Sequence, residues 1–118
     1  MPRVLIVDDH PSFRELAGRL LTGAGFAVVG EAADAAGALR EASRLRPDVV
    51  LLDVVLPDRS GLAVARELAT LGDGPRVVLI SSRSRSDFGD SFDWPPRCGF
   101  LPKHELTPAR FEEVLRAL

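Results

Sequence analysis

Residues 49–52, Val-Val-Leu-Leu, form an unbroken apolar run that stops at Asp53. A strand that is apolar at every position is covered on both faces, as in the centre of a parallel sheet. The same construction recurs at residues 4–7, Val-Leu-Ile-Val, which run into the adjacent carboxylates Asp8 and Asp9. Residues 27–31, 76–80 and 100–102 add three more strand-like stretches, the fourth strand meeting Ser81 and the fifth Lys103. Between strands the apolar period becomes helical. Phe13, Leu16, Ala17 and Leu20 fall at i, i+3, i+4 and i+7. Ala38, Leu39, Ala42 and Leu45 make a second stripe, Leu62, Ala65, Leu68 and Ala69 a third, and Phe111, Val114, Leu115 and Leu118 a last one.

Helix punctuation agrees with this alternation. Pro11 suits a first turn, and Ser12 with Glu15 has the spacing of a capping box. Gly23 and Gly25 end that helix, Asp34 is placed to cap the second, and Pro47 closes it. Thr107-Pro108 opens the last. Strands alternating with helices of this length make βαβ units, and right-handed crossovers lay helices on both faces of an open sheet. The expected fold is α/β, a doubly wound five-stranded parallel sheet. One segment interrupts the pattern. Residues 83–98, RSRSDFGDSFDWPPRC, hold a glycine, two adjacent prolines and many Ser and Asp, so an irregular or shortened fourth helix is expected, with Phe88 and Phe92 spaced for one or two turns.

A chain of 118 residues has room for one domain, residues 1–118. A net charge of −2 and a pI near 5.6 argue against direct nucleic-acid binding, which needs a basic face. The single cysteine, Cys98, cannot form an internal disulfide. There is no run of about 20 apolar residues for a membrane span and no signal-like N-terminus, so a cytoplasmic protein is expected.

Open parallel sheets bind ligands beyond the C-terminal ends of their strands. Asp8, Asp9, Asp53, Ser81 and Lys103 all stand at such ends and should converge on one edge. Singly, each is unremarkable: aspartates after strands are frequent turn residues and caps, and a lone lysine is usually solvated. Together they describe a site. Like charges about 4 Å apart cost about 4 kcal/mol at an effective dielectric near 20, so a cation should fill the crevice. Oxygen ligands with water suit a hard divalent ion, Mg²⁺ or alternatively Mn²⁺.

The stretches VLIVDDHPSFR, DVVLLDVVLPDRSG, VVLISS and GFLPK resemble the receiver domains of bacterial response regulators in two-component signalling, over essentially the whole chain. The first and last motifs are closest to the class with a LuxR-type helix-turn-helix output. The resemblance implies a flavodoxin-like (βα)5 fold and a phosphoacceptor, Asp53, that receives a phosphoryl group from a sensor histidine kinase. It implies that Asp8, Asp9, Asp53 and the backbone carbonyl of Val55 hold the metal, with Asp9 more direct and Asp8 partly through water. Ser81 and Lys103 would engage the phosphoryl oxygens, and Ser81 with Phe100 would form the switch. Such a domain is no conventional enzyme but assists its own phosphorylation and dephosphorylation. A C-terminal DNA-binding output domain outside this chain and a homodimer are the further partners implied. Two departures stand out: segment 83–98 replaces the usual fourth helix, and no proline follows Lys103.

Other functions with related folds fit less well. A flavodoxin-like cofactor binder needs a Ser/Thr/Gly-rich phosphate loop where Asp8-Asp9 would repel phosphate. A haloacid-dehalogenase-like phosphatase needs one residue between its two aspartates, and here they are adjacent. The remaining alternative is a receiver-fold interaction module that works without phosphorylation.

Overall fold

The computed structural model describes residues 1–83 and 94–118. Strands β1 (Arg3–Val7), β2 (Ala27–Ala32), β3 (Val49–Asp53), β4 (Arg76–Ser81) and β5 (Cys98–Pro102) form one parallel sheet in the order β2-β1-β3-β4-β5. Helices α1 (Pro11–Gly23), α2 (Ala35–Leu45), α3 (Gly61–Ala69) and α4 (Pro108–Arg116) cover it, and a 3₁₀ turn, Lys103–Glu105, follows β5 directly. This is the expected doubly wound α/β architecture. Strands β3 to β5 extend one or two residues beyond the apolar runs that predicted them, because the ladder continues through Asp53, Ser81 and Cys98.

Strand alternation divides the interior into two layers. Leu5, Val7, Val50, Leu52, Val77 and Leu79 pack with Ala38 and Ala42 of α2 and Val64, Ala65 and Leu68 of α3. Val4, Ile6, Val49, Leu51, Val78 and Ile80 pack on the opposite face with Ala17 and Leu21 of α1 and Phe111 and Leu115 of α4. Phe26 meets Phe111 edge-on at 5.1 Å between ring centroids, a favoured aromatic geometry. All five residues of β3 are buried, as its unbroken apolar run requires.

Two caps are as expected. Asp34 accepts from Gly37 N–H at 2.7 Å, and Thr107 Oγ1 accepts from Arg110 N–H at 3.1 Å. The capping box at Ser12 is not formed. The helix begins two residues earlier than that box would set it, with His10 as N-cap and Pro11 in the first turn, and no side chain caps it. The His10 carbonyl instead accepts from the N–H groups of Phe13 and Arg14. Proline's fixed φ and absent N–H favour this start. Leu118 lies past the end of α4, whose C-cap is Ala117. Phe88, Phe92 and the turns expected around them lie outside the described residues. Trp94 is described; it packs against the α2/α3 layer and its ring lies 5.3 Å from that of Phe100.

Register sets the functional edge. Val7 is level with Leu52, Asp53 with Ile80, and Ser81 with Pro102. Asp8, one step past Val7, therefore stands beside Asp53, and Lys103, one step past Pro102, follows Ser81.

At Gly61 α3 starts hard against β3: a Cβ there would run into the carbonyl oxygen of Asp53. Around Gly18, within α1, the space is open. Gly61→Ala should therefore overpack and destabilise by about 1–3 kcal/mol, whereas Gly18→Ala should gain about 0.5–1 kcal/mol from helix propensity. Thermal unfolding of the two variants should move in opposite directions from the parent.

Candidate functional site

Three polar residues, Asp8, Asp53 and Ser81, are fully or nearly fully buried among the described residues, and all three sit at the C-terminal edge of the sheet. Burying charge is costly unless it is paired. Lys103 supplies the pairing: its Nζ lies 2.7 Å from Asp8 Oδ2 and 2.9 Å from Asp53 Oδ2. The ammonium also stands 4.9 Å above the ring of Phe13, in cation–π range. The 3₁₀ turn after β5 aims Lys103 inward across the ends of β4, β3 and β1.

Each carboxylate has a fixed orientation. Asp53 Oδ1 accepts from Val55 N–H at 3.0 Å, leaving Oδ2 toward Lys103. Asp8 Oδ1 accepts from His10 N–H at 2.8 Å, and the His10 ring nitrogen Nδ1 lies 3.1 Å from Asp8 Oδ1 and 3.1 Å from Asp9 Oδ1. Asp8 Oδ2 is buried and makes no well-directed hydrogen bond; the Lys103 contact is ionic. Asp9 faces solvent. Arg14 steadies the turn from behind, donating through Nη1 to the Asp8 carbonyl at 2.7 Å and through Nε to Glu31 at 2.9 Å.

Burial pushes the Asp53 carboxyl above its ordinary range. The Val55 N–H and Lys103 pull it back, Asp8 pushes it up again, and the balance is upward. For Lys103 burial works against the charge, but Asp8 and Asp53 outweigh it and hold the ammonium more firmly protonated than usual. Asp53 is thus an oriented carboxylate beside a permanent cation, an arrangement suited to a nucleophile whose product is an anion.

Asp8, Asp9, His10 and Asp53 each offer one ligand atom within 4.8 Å of the others, so the acidic cluster can hold a metal ion. The donor set fits a hard cation. It has three carboxylates, a buried Asp8 oxygen whose one close partner is the Lys103 ammonium, and an open side at Asp9 where water can complete the shell. Val55 is exposed at the same rim and pairs in an isolated antiparallel bridge with Ser60.

Ser81 Oγ accepts from Arg83 N–H at 3.0 Å, which leaves its own proton available to donate. Phe100 is half-buried in β5, level with Leu79, on the α2/α3 face and against Trp94. The Cys98 thiol is pushed up to about 11 by burial, against a downward pull from Arg66, so it is no nucleophile at neutral pH. A groove of about 1140 Å³ opens at the other end of the sheet, near Arg46, Asp48 and Gly74; charge and burial, not volume, mark the site.

The edge therefore assembles Asp8, Asp9, Asp53, Ser81 and Lys103, as their positions at strand ends predict. His10, Phe13 and Arg14 were not legible as members. Their roles depend on how the first turn of α1 folds over Asp8, and only the tight spacing of His10-Pro11 after the acidic pair hints at it.

Comparison with known proteins agrees with this geometry. The family model described as the response regulator receiver domain matches residues 4–93. The DNA-binding response regulator MtrA of Mycolicibacterium smegmatis is 42% identical over 87 residues, covering 72% of this chain and 37% of MtrA. The signal receiver domain of NarL from Mycobacterium tuberculosis superposes with a TM-score of 0.79 at 36% identity, covering 98% of this chain and 91% of that one. A LuxR-family two-component response regulator from Aurantimonas sp. gives 0.79 at 31% identity, covering 99% of this chain and 84% of that one. The chain spans between about a quarter and about half the length of the first curated relatives it matches. With the sheet order, the acidic edge and the inward lysine in place, and with likeness of this extent, the chain belongs to the response regulator receiver domain family.

Proposed function

We propose that this receiver accepts a phosphoryl group on Asp53 from the phosphohistidine of a sensor histidine kinase, and that the change it undergoes controls an output. A carboxylate oxygen of Asp53 attacks phosphorus, the P–N bond to the donor histidine breaks, and the departing imidazole takes a proton from solvent. The observation that carries this reading is the buried, oriented Asp53 with Lys103 Nζ 2.9 Å from its Oδ2. Lys103 keeps its charge through the reaction and pairs with the new anion. Ser81 donates its hydroxyl proton to a phosphoryl oxygen. Asp8, Asp9, Asp53 and the Val55 carbonyl would hold Mg²⁺, with Mn²⁺ able to substitute. When bound, the ion neutralises the acidic crevice and the equatorial oxygens of the transferring group.

The output is control of transcription, through a DNA-binding segment outside residues 1–118, as the name of MtrA suggests for that relative. The domain works in the cytoplasm, and a homodimer is compatible with it. Among the described residues no helix is long and apolar enough to cross a membrane.

Acetyl phosphate with Mg²⁺ should add one phosphoryl mass to the intact protein, and Asp53→Asn should abolish the addition. Unchanged labelling of Asp53→Asn sinks the assignment; absence of labelling in the parent favours a phosphorylation-independent interaction module.

Millimolar Mg²⁺ should raise the melting temperature, since a ligand at 100 times its dissociation constant adds about 2.7 kcal/mol to a native state it binds alone. Asp9→Ala should remove most of that gain. An equal response in the parent and in Asp9→Ala would count against Asp9 as a ligand.

Trp94 offers a reporter, because its ring touches Phe100. If Ser81 is drawn toward a group on Asp53, Phe100 gains space and the ring contact changes. Beryllofluoride with Mg²⁺, a mimic of the acyl phosphate, should shift Trp94 emission beyond the effect of Mg²⁺ alone, and Ser81→Ala should blunt the shift. Flat emission with binding verified by calorimetry would remove Phe100 from the switch.

A further inference from the structure

The first turn of α2 is satisfied from two sources. Gly37 N–H donates to Asp34 Oδ1 at 2.7 Å and Ala38 N–H to the Asp34 carbonyl at 2.9 Å, an ordinary local cap. The two outermost donors turn elsewhere. Ala35 N–H reaches Asp58 Oδ1 at 2.8 Å, and Ala36 N–H reaches Asp58 Oδ2 at 3.0 Å. Asp58 lies 22 and 23 positions further along the chain, in the loop between β3 and α3. One carboxylate thus receives two parallel N–H bonds at the positive end of a helix. Those same bonds, from Ala35 and then Ala36, hold the Asp58 carboxyl below its ordinary range.

The loop that Asp58 ties down is the one that forms the rim of the site. Its entry is fixed by Val54 N–H on the Ile80 carbonyl at 2.9 Å and by Val55 N–H on Asp53 Oδ1 at 3.0 Å. Its exit is fixed by Gly61 N–H on the Val54 carbonyl at 2.7 Å. The Arg59–Glu67 ion pair returns only to the loop's own helix. Asp58 carries the loop to α2, on the far side of the Val55–Ser60 bridge. With the tip held there and both ends held to β3 and β4, the Val55 peptide has little freedom to turn.

We propose that Asp58 is a positioning residue for the metal and phosphoacceptor site: by clamping the β3–α3 loop to the first turn of α2 it fixes the backbone on both sides of Val55, whose N–H orients Asp53 and whose carbonyl would serve as a metal ligand. This rests on the proposed metal role of Val55 for its second half, while the first half concerns a hydrogen bond present without metal.

Asp34 provides the control. Asp34→Ala removes a cap from the same helix without touching the loop, whereas Asp58→Ala removes a cap and frees the loop. Both variants should melt lower than the parent. Only Asp58→Ala should lose amide-exchange protection at Val55 N–H, and only it should weaken Mg²⁺ binding, measured by calorimetry. The loss should be about tenfold, the low end for residues that support metal ligands. Asp58→Asn keeps one acceptor oxygen, should fold if Asp58→Ala does not, and should fall between. Equal loss of Val55 protection in Asp34→Ala and Asp58→Ala would overturn the proposal in favour of general fraying of α2. Unchanged Val55 protection in Asp58→Ala would overturn it outright. If the parent itself binds no Mg²⁺, the metal reading of the site fails, and the exchange comparison still decides whether Asp58 positions the loop.

Discussion

Lys103 makes the sheet edge tenable. Asp8 and Asp53 are buried side by side, and one ammonium lies within 2.9 Å of both. Removing one member of a buried ion group leaves uncompensated charge, a loss of about 3–5 kcal/mol in comparable pairs. The arrangement gives two carboxylates a shared cation in a place where burial alone would reject their charge. It also couples everything that happens at the edge, because any group that neutralises one carboxylate alters the hold of Lys103 on the other.

Strand register delivers that coupling. Four neighbouring strands, β1, β3, β4 and β5, end at nearly the same level, so residues from positions 8, 53 and 103 meet although the chain separates them widely. The crevice opens between β1 and β3, where the strand order turns back on itself and the connecting helices leave to opposite faces. The close start of α3, possible because residue 61 is glycine, brings the β3–α3 loop over this crevice.

Much of this was legible in the sequence, for definite reasons. An apolar run such as Val49–Asp53 minus its last residue can be read because full burial leaves no polar position in it. The five edge residues could be read because parallel strands put their C-terminal ends together regardless of sequence distance. What was not legible depends on turns. The start of α1 at Pro11 rather than behind Ser12 decides that His10 N–H meets Asp8, and no periodicity encodes that choice. Asp58 reads locally as a turn residue after Pro57; its engagement with Ala35 and Ala36 arises only when two separate βα units are laid side by side. The inward aim of Lys103 over Phe13 likewise needs the 3₁₀ turn, which its short sequence does not announce.

The sheet is one strand thick, and its two sides are filled by separate sets of side chains. Along β5 the alternation is visible in adjacent residues: Phe100 belongs to the α2/α3 side and Leu101 to the α1/α4 side. Substitutions far apart with no shared partner combine nearly independently. Each side can therefore drift, gain volume or acquire a new outer face with little effect on the other, while the charged edge, built only from strand ends and first turns, stays as it is. A fold divided in this way can change its listener on one side without relearning its chemistry.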